Sequence, residues 1–327
     1  MPHGSHAQNH ERSIYRFSSF LATRAGISRF LYLGCNQPKE MMLMTTIRQV
    51  ILVALTVGLS AQSAQGGAWT RKQGSLYTKL GVTVLGTSEA YDQDGNKFTT
   101  PKFNTWSLNL YGEYGATDRF TSILRAPVLR AAKFENSESF TGVGDISVEF
   151  KYGLIRGSTP VSVSVEPVFP SGDKDGITPL TDGSGGTVRL PTGDGEYNTV
   201  VKGSVSHSFH PIPGYVSFDA GYNFRTMGFT DEYLLMVQAG YQIDDVLWLQ
   251  GNINAKGPVA TPDSALASRA TLGFGEGVQF VAYSFGLAYE MLPTVALTFD
   301  AYSAFGKITS IYSGFNFVFG ISWQTGN

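Results

Sequence analysis

From Asp145 to Leu154 (DISVEFKYGL) polar and apolar residues alternate. Side chains on a strand switch sides with period two. Ile146, Val148, Phe150, Tyr152 and Leu154 therefore share one face, and Asp145, Ser147, Glu149, Lys151 and Gly153 share the other. The second face is too charged for a sandwich core, and the first is about as long as a tilted strand needs to cross a bilayer. The same pattern predicts strands over Ser75–Leu85, Thr105–Tyr114, Phe120–Arg130, Val161–Phe169, Thr199–Phe209 and Tyr215–Arg225. It predicts further strands over Tyr233–Ile243, Val246–Ala255, Phe280–Glu290, Val295–Ala304 and Ile311–Gln324. With Asp145–Leu154 that makes twelve, an even number of the length that membrane barrels use.

The connections alternate in length. Gly115–Arg119, Arg156–Pro160, Pro211–Gly214, Asp244–Asp245 and Pro293–Thr294 are tight and built from turn residues. Gly86–Lys102, Phe134–Gly144, Ser171–Asn198 and Lys256–Gln279 are long; those after Arg225 and Ala304 are intermediate. Outer-membrane barrels put short turns in the periplasm and long loops outside, so this parity predicts both termini in the periplasm. A secreted β-sandwich or jelly roll also alternates, but Phe315, Phe317, Phe319, Ile321 and Trp323 would make a very aromatic core stripe there. The expected fold is all-β, a transmembrane antiparallel β-barrel of about 12 strands, preceded by a cleavable signal peptide.

Composition agrees. The chain has 38 Gly, 22 Phe, 16 Tyr and one Cys, with 15% charged residues, which disfavours a helical protein. The longest apolar run, Val50–Leu59, follows Arg48 and precedes the small-residue stretch Ser60–Gly67. That order reads as a secretory signal peptide over 44–66, cleaved between about Ser63 and Gly67. Residues 1–43, with Cys35, then read as an over-extended gene start or disordered extension ahead of Met41, Met42 or Met44, leaving 67–327 as the barrel. Past the signal peptide 18 Lys and Arg face 24 Asp and Glu, so nucleic acid is not an expected partner.

Gly142–Tyr152 (GVGDISVEFKY), Phe169–Asp173 (FPSGD), Leu190–Gly195 (LPTGDG), and the stretch from Gly306-Lys307 to Gly320–Trp323 (GISW) together resemble one Gram-negative outer-membrane family. It is the β-barrel family of the meta-pathway phenol-degradation, transporter type. The resemblance implies a barrel that passes hydrophobic or aromatic compounds, with no established catalytic residues; separately, no cofactor is expected. One departure is the end, where Gln324–Asn327 follow Trp323, whereas barrels of this kind stop at an aromatic residue.

If the parity holds, Lys79, Glu113, Arg125, Glu149, Lys151, Glu166, Lys202, Asp219, Arg225, Glu290 and Asp300 point into the lumen. A twelve-stranded barrel is only moderately wider than one filled by side chains. Such charges can pair and plug it, or line a narrow charged path; both readings stand. In the longest loop Asp173, Asp175 and Asp182 form a calcium candidate, since Asp-x-Asp-Gly begins a ligand loop. The spacing after Gly176 does not continue as an EF-hand, and a polar surface loop capping the outer mouth is the alternative. The only histidines after the signal peptide, His207 and His210, adjoin a tight turn, and no nucleophile elbow or metal-spaced cluster is present. The chain is thus expected to be no enzyme. It reads as an outer-membrane channel or facilitator for small hydrophobic or aromatic molecules, with lipid and such a solute as partners. The alternative is a structural or adhesive barrel with a self-plugged lumen; an outer-membrane hydrolase is the third reading.

Overall fold

The computed structural model describes residues 67–266 and 271–326. The expected extension over 1–43 and the signal peptide over 44–66 lie outside these residues. Among the described residues fifteen strands follow one another: β1 (Leu76–Tyr91), β2 (Lys97–Thr117), β3 (Phe120–Phe134), β4 (Phe140–Gly142), β5 (Ile146–Ile155), β6 (Val161–Phe169), β7 (Ile177–Pro179), β8 (Thr187–Arg189), β9 (Asn198–Ser208), β10 (Gly214–Arg225), β11 (Glu232–Ile243), β12 (Leu247–Pro258), β13 (Gln279–Leu292), β14 (Val295–Thr309) and β15 (Asn316–Thr325).

Among the described residues twelve long strands pair antiparallel, each with its neighbours in the chain. β1 pairs with β2 from Leu76↔Tyr114 onward and with β15 from Leu76↔Thr325 to Leu85↔Asn316, so the sheet closes on itself. Closure removes every edge, which is what lets strands stand in hydrocarbon with all backbone groups bonded. β7 and β8 form a separate hairpin inside the loop between β6 and β9.

β4 and β5 are two pieces of one stave. β3 pairs with β4 through Arg130–Ala132 and with β5 through Phe120–Arg125. Between them sits Pro127, which has no N–H to donate; its carbonyl accepts from Gly144 N at 2.8 Å. A Cβ on Gly144 would lie 2.8 Å from the Pro127 ring, so this approach requires glycine.

The alternation runs outside-in compared with a soluble protein. On β5, Phe150 and Tyr152 are 44% and 46% exposed, while Glu149 and Lys151 beside them are buried. Trp106, Val165, Phe218, Val237, Phe285, Phe317, Phe319 and Trp323 continue the exposed apolar surface around the wall. An apolar exterior of this extent suits lipid, not water.

The tight turns gather at one end and the longer connections at the other. Two expectations need correction there. The stretch Gly86–Lys102 is mostly strand: β1 runs to Tyr91 and β2 starts at Lys97, leaving only 92–96 as the connection. β14 likewise runs past Ala304 to Thr309. These tips carry Thr87, Glu89, Lys97 and Lys307, so the hydrophobic alternation that marks a lipid-facing strand stops before the hydrogen-bonded ladder does.

Candidate functional site

The inner surface has three levels from the tight-turn end to the long-loop end, with a cavity beside the first two. The first is a strap formed by the residues before β1. Lys151 Nζ donates to Gly67 O at 2.6 Å, and Ala68 N donates to Ser206 Oγ at 2.9 Å. Trp69 packs edge-on against Tyr215, with ring centroids 5.4 Å apart. Arg71 Nε donates to Glu113 Oε2 at 2.7 Å and its guanidinium lies over Tyr77. Gly67 passes so close to Ser206 and Ser217 that no side chain fits. The partners come from β1, β2, β5, β9 and β10, so the strap crosses from wall to wall. The alternation of the strands gave no signal for it.

The second level is an ion cluster on β3, β5, β6 and β9. Arg125 donates to Glu149 Oε2 at 2.7 Å and to Glu166 Oε1 at 2.9 Å; Lys202 Nζ reaches the same two carboxylates at 2.9 and 3.0 Å. Ser147 Oγ adds a bond to Glu166 Oε1 at 2.7 Å. Two cations and two carboxylates thus cancel within one network.

Beside the cluster, against β1, β2 and β11 to β15, lies a cavity of ≈400 Å³ that begins at Tyr77 and Thr294 near the tight turns; its walls include Lys79, Gly81, Thr83, Asn109, Tyr111, Glu113, Gln238, Gln250, Glu290, Thr298, Asp300 and Gln324. Lys79 Nζ donates to Asp300 Oδ2 at 2.9 Å across the β1–β15–β14 seam, and Tyr111 Oη donates to Glu113 Oε1 at 2.5 Å. Glu290 Oε1 and, on β10, Asp219 Oδ1 are buried without a protein hydrogen bond.

The third level is a clasp at the long-loop end. Arg225 donates to Glu196, to Glu232 Oε1 at 3.1 Å and to Gly275 O at 2.9 Å; Lys256 Nζ lies 3.1 Å from Glu232 Oε1, and Asp194 Oδ2 lies 3.7 Å from Arg225. Three carboxylates share two cations here, and burial pushes the Glu196 carboxyl up to about 8 despite Arg225. Asp145 takes the N–H of Gly172 at 2.9 Å and of Asp194 at 3.2 Å, tying the longest loop to the wall. Burial raises its pKa too.

The eleven charged positions expected in the lumen therefore fall into distinct groups. Arg125, Glu149, Glu166 and Lys202 are joined to one another; Lys79 is joined to Asp300. Glu113 and Lys151 hold the strap, Arg225 holds the loop clasp, and Asp219 and Glu290 stand apart from these pairs. Asp173 and Asp182 fold onto local backbone: their Oδ1 atoms accept from Asp175 N at 2.8 Å and Ser184 N at 2.9 Å. Among the described residues no group of three or more His, Cys, Asp or Glu is placed to hold a metal ion. His207 Nδ1 shares a hydrogen bond with Thr159 Oγ1 at 2.8 Å.

No family model and no curated protein sequence matches the chain. Solved structures do. An outer-membrane channel from Pseudomonas putida F1 aligns with a TM-score of 0.59 at 13% identity, covering 81% of this chain and all of that one. The translocator domain of the autotransporter NalP from Neisseria meningitidis reaches 0.48 at 10% identity, over 87% of this chain and 97% of that one. The toluene transporter TbuX of Ralstonia pickettii reaches 0.42 at 10% identity, over 82% and 99%. At these identities it is the fold that is shared, and the first alignment carries it: the chain has the all-β, closed antiparallel fold of outer-membrane barrels.

Proposed function

We propose that the protein is an outer-membrane channel or facilitator for small hydrophobic or aromatic molecules, with its termini in the periplasm and the long loops outside. One observation carries the reading: a ≈400 Å³ cavity lies beside an ion cluster whose charges cancel one another. A filled barrel would leave no such space. Rings of one charge, the usual device for selecting ions, are not formed by the pairs Arg125–Glu149, Lys202–Glu166 and Lys79–Asp300. An interior with balanced charge favours uncharged solutes. The resemblance of the GVGDISVEFKY and LPTGDG segments to the phenol-degradation barrel family supports the same solute class. The apolar exterior supports lipid as the partner of the outer wall.

The strap from Gly67 to Lys72 favours a second reading, a self-plugged structural barrel. Reconstitution separates the two. Proteoliposomes that take up toluene or phenol faster than protein-free vesicles, with discrete conductance steps in planar bilayers, support the facilitator. A folded protein silent in both assays supports the plug and overturns the channel.

A further inference from the structure

Above its charged middle the inner face of β2 and β3 turns apolar. Phe103, Ala132 and Phe134 are buried there with Leu190 of the long loop, and Leu272 and Tyr312 pack against them. The rings of Phe103 and Tyr312 stack with centroids 4.4 Å apart and planes 18° apart. Next to this stack lies a second cavity of ≈190 Å³, whose apolar walls are Phe103, Leu190, Phe229, Leu272, Phe274 and Tyr312 and whose polar wall is Arg189, Asp194 and Thr271.

The polar groups around it are already engaged. Arg130 lies over the Phe274 ring at 5.5 Å and donates to Thr192 O at 2.6 Å. Arg225 lies over Phe229 at 4.6 Å and is held by Glu196 and Glu232. Arg189 donates to Lys174 O at 2.9 Å, and Asp194 Oδ1 accepts from Glu196 N at 3.2 Å. A charged ligand would compete with these contacts and be desolvated against four aromatic rings besides. An uncharged ring would break none. Aromatic pairs add about 0.5–1.5 kcal/mol beyond the area they bury, so four aromatic walls favour an arene over an aliphatic of equal size. By volume, ≈190 Å³ suits one ring with a small substituent, since a cavity of about 150 Å³ in another protein takes benzene.

We propose that this cavity is a binding site for an uncharged single-ring arene, filled at the long-loop end before the solute meets the polar interior. Its place in a transport path rests on the channel reading above; the binding does not.

Crystals of the full chain soaked in bromobenzene locate the ring through the bromine's anomalous signal, and fluorobenzene titrated by fluorine NMR in detergent measures the affinity. The expected result is bromine inside the cavity, with saturable fluorobenzene binding that toluene competes and benzoate does not. Leu272→Trp fills the space, and with heat-modifiable mobility unchanged it should remove the bromine peak and weaken fluorobenzene at least tenfold. Phe274→Leu, a milder change, should weaken it about threefold. Bromine elsewhere only, or equal binding by wild type and both variants, overturns the site. Toluene flux that persists without binding in the cavity overturns the site and leaves the channel standing. Binding in the cavity without flux leaves the site standing and overturns the channel.

Discussion

At 2% side-chain exposure Glu149 is an expensive place to leave a charge alone, and the structure gives it two cations. Breaking a buried pair costs about 3–5 kcal/mol. Arg125 keeps 37% exposure toward the interior, so Glu149→Gln should cost less, about 2 kcal/mol. Thermal unfolding in detergent should show the lowered midpoint. Glu149→Gln combined with Lys202→Met should recover part of the loss; no recovery would mean the two residues are not coupled. Glu196 makes a different prediction, because its carboxyl is raised from 4.5 to about 8. Between those values the folded chain keeps a proton that the unfolded chain has lost, so stability falls as pH rises through that window. Limited proteolysis of the loop over 170–197 should therefore be faster at pH 9 than at pH 6. Glu196→Gln should flatten that dependence, and an unchanged pH profile in the variant would remove Glu196 as its source.

At the scale of strands, one register decides what meets lipid. Val237 on β11 is 48% exposed on the outer face, while its neighbour Gln238 lines the inner cavity. Arginine on the lipid face near mid-bilayer costs about 2–4 kcal/mol. Val237→Arg should lower the urea midpoint of folding into vesicles accordingly, while Gln238→Arg should leave it nearly unchanged and alter permeation. Equal effects would contradict the assigned faces. The strap makes a separate prediction: Trp69→Ala with Arg71→Ala removes its ring contact with Tyr215 and its bond to Glu113, and should raise conductance several-fold. Unchanged conductance would show that the strap does not limit passage.

Much of this level was legible. Val161–Phe169 is a strand with the bounds its alternation predicts, and β9 to β13 differ from theirs by at most three residues at either end. The interruption between β4 and β5 was not, because a proline in β3 reads as part of the strand until its partner is known. The strap was missed because Trp69 and Arg71 follow no period. The aromatic pocket was missed because Phe103, Leu190 and Tyr312 come from three distant segments, and only closure brings them together.

For the whole molecule, closure predicts cooperative behaviour. Unheated protein should run ahead of boiled protein on a denaturing gel, with one transition between the two forms; coincident mobilities would argue against a closed barrel. The polar interior forms only inside the finished wall: Lys79 and Asp300, bonded across the seam, stand 221 residues apart in the chain. Such distant pairings make folding slow. The seam has one more consequence, and it concerns time. Thr78 on the first strand bonds to Trp323 on the last, across 245 residues. Until β15 has been synthesised and delivered, β1 has no second neighbour and the ring no circumference. A chain cut short before β15 would not be a slightly smaller barrel but an open sheet with two unpaired rims, a substrate for proteases instead of a membrane protein.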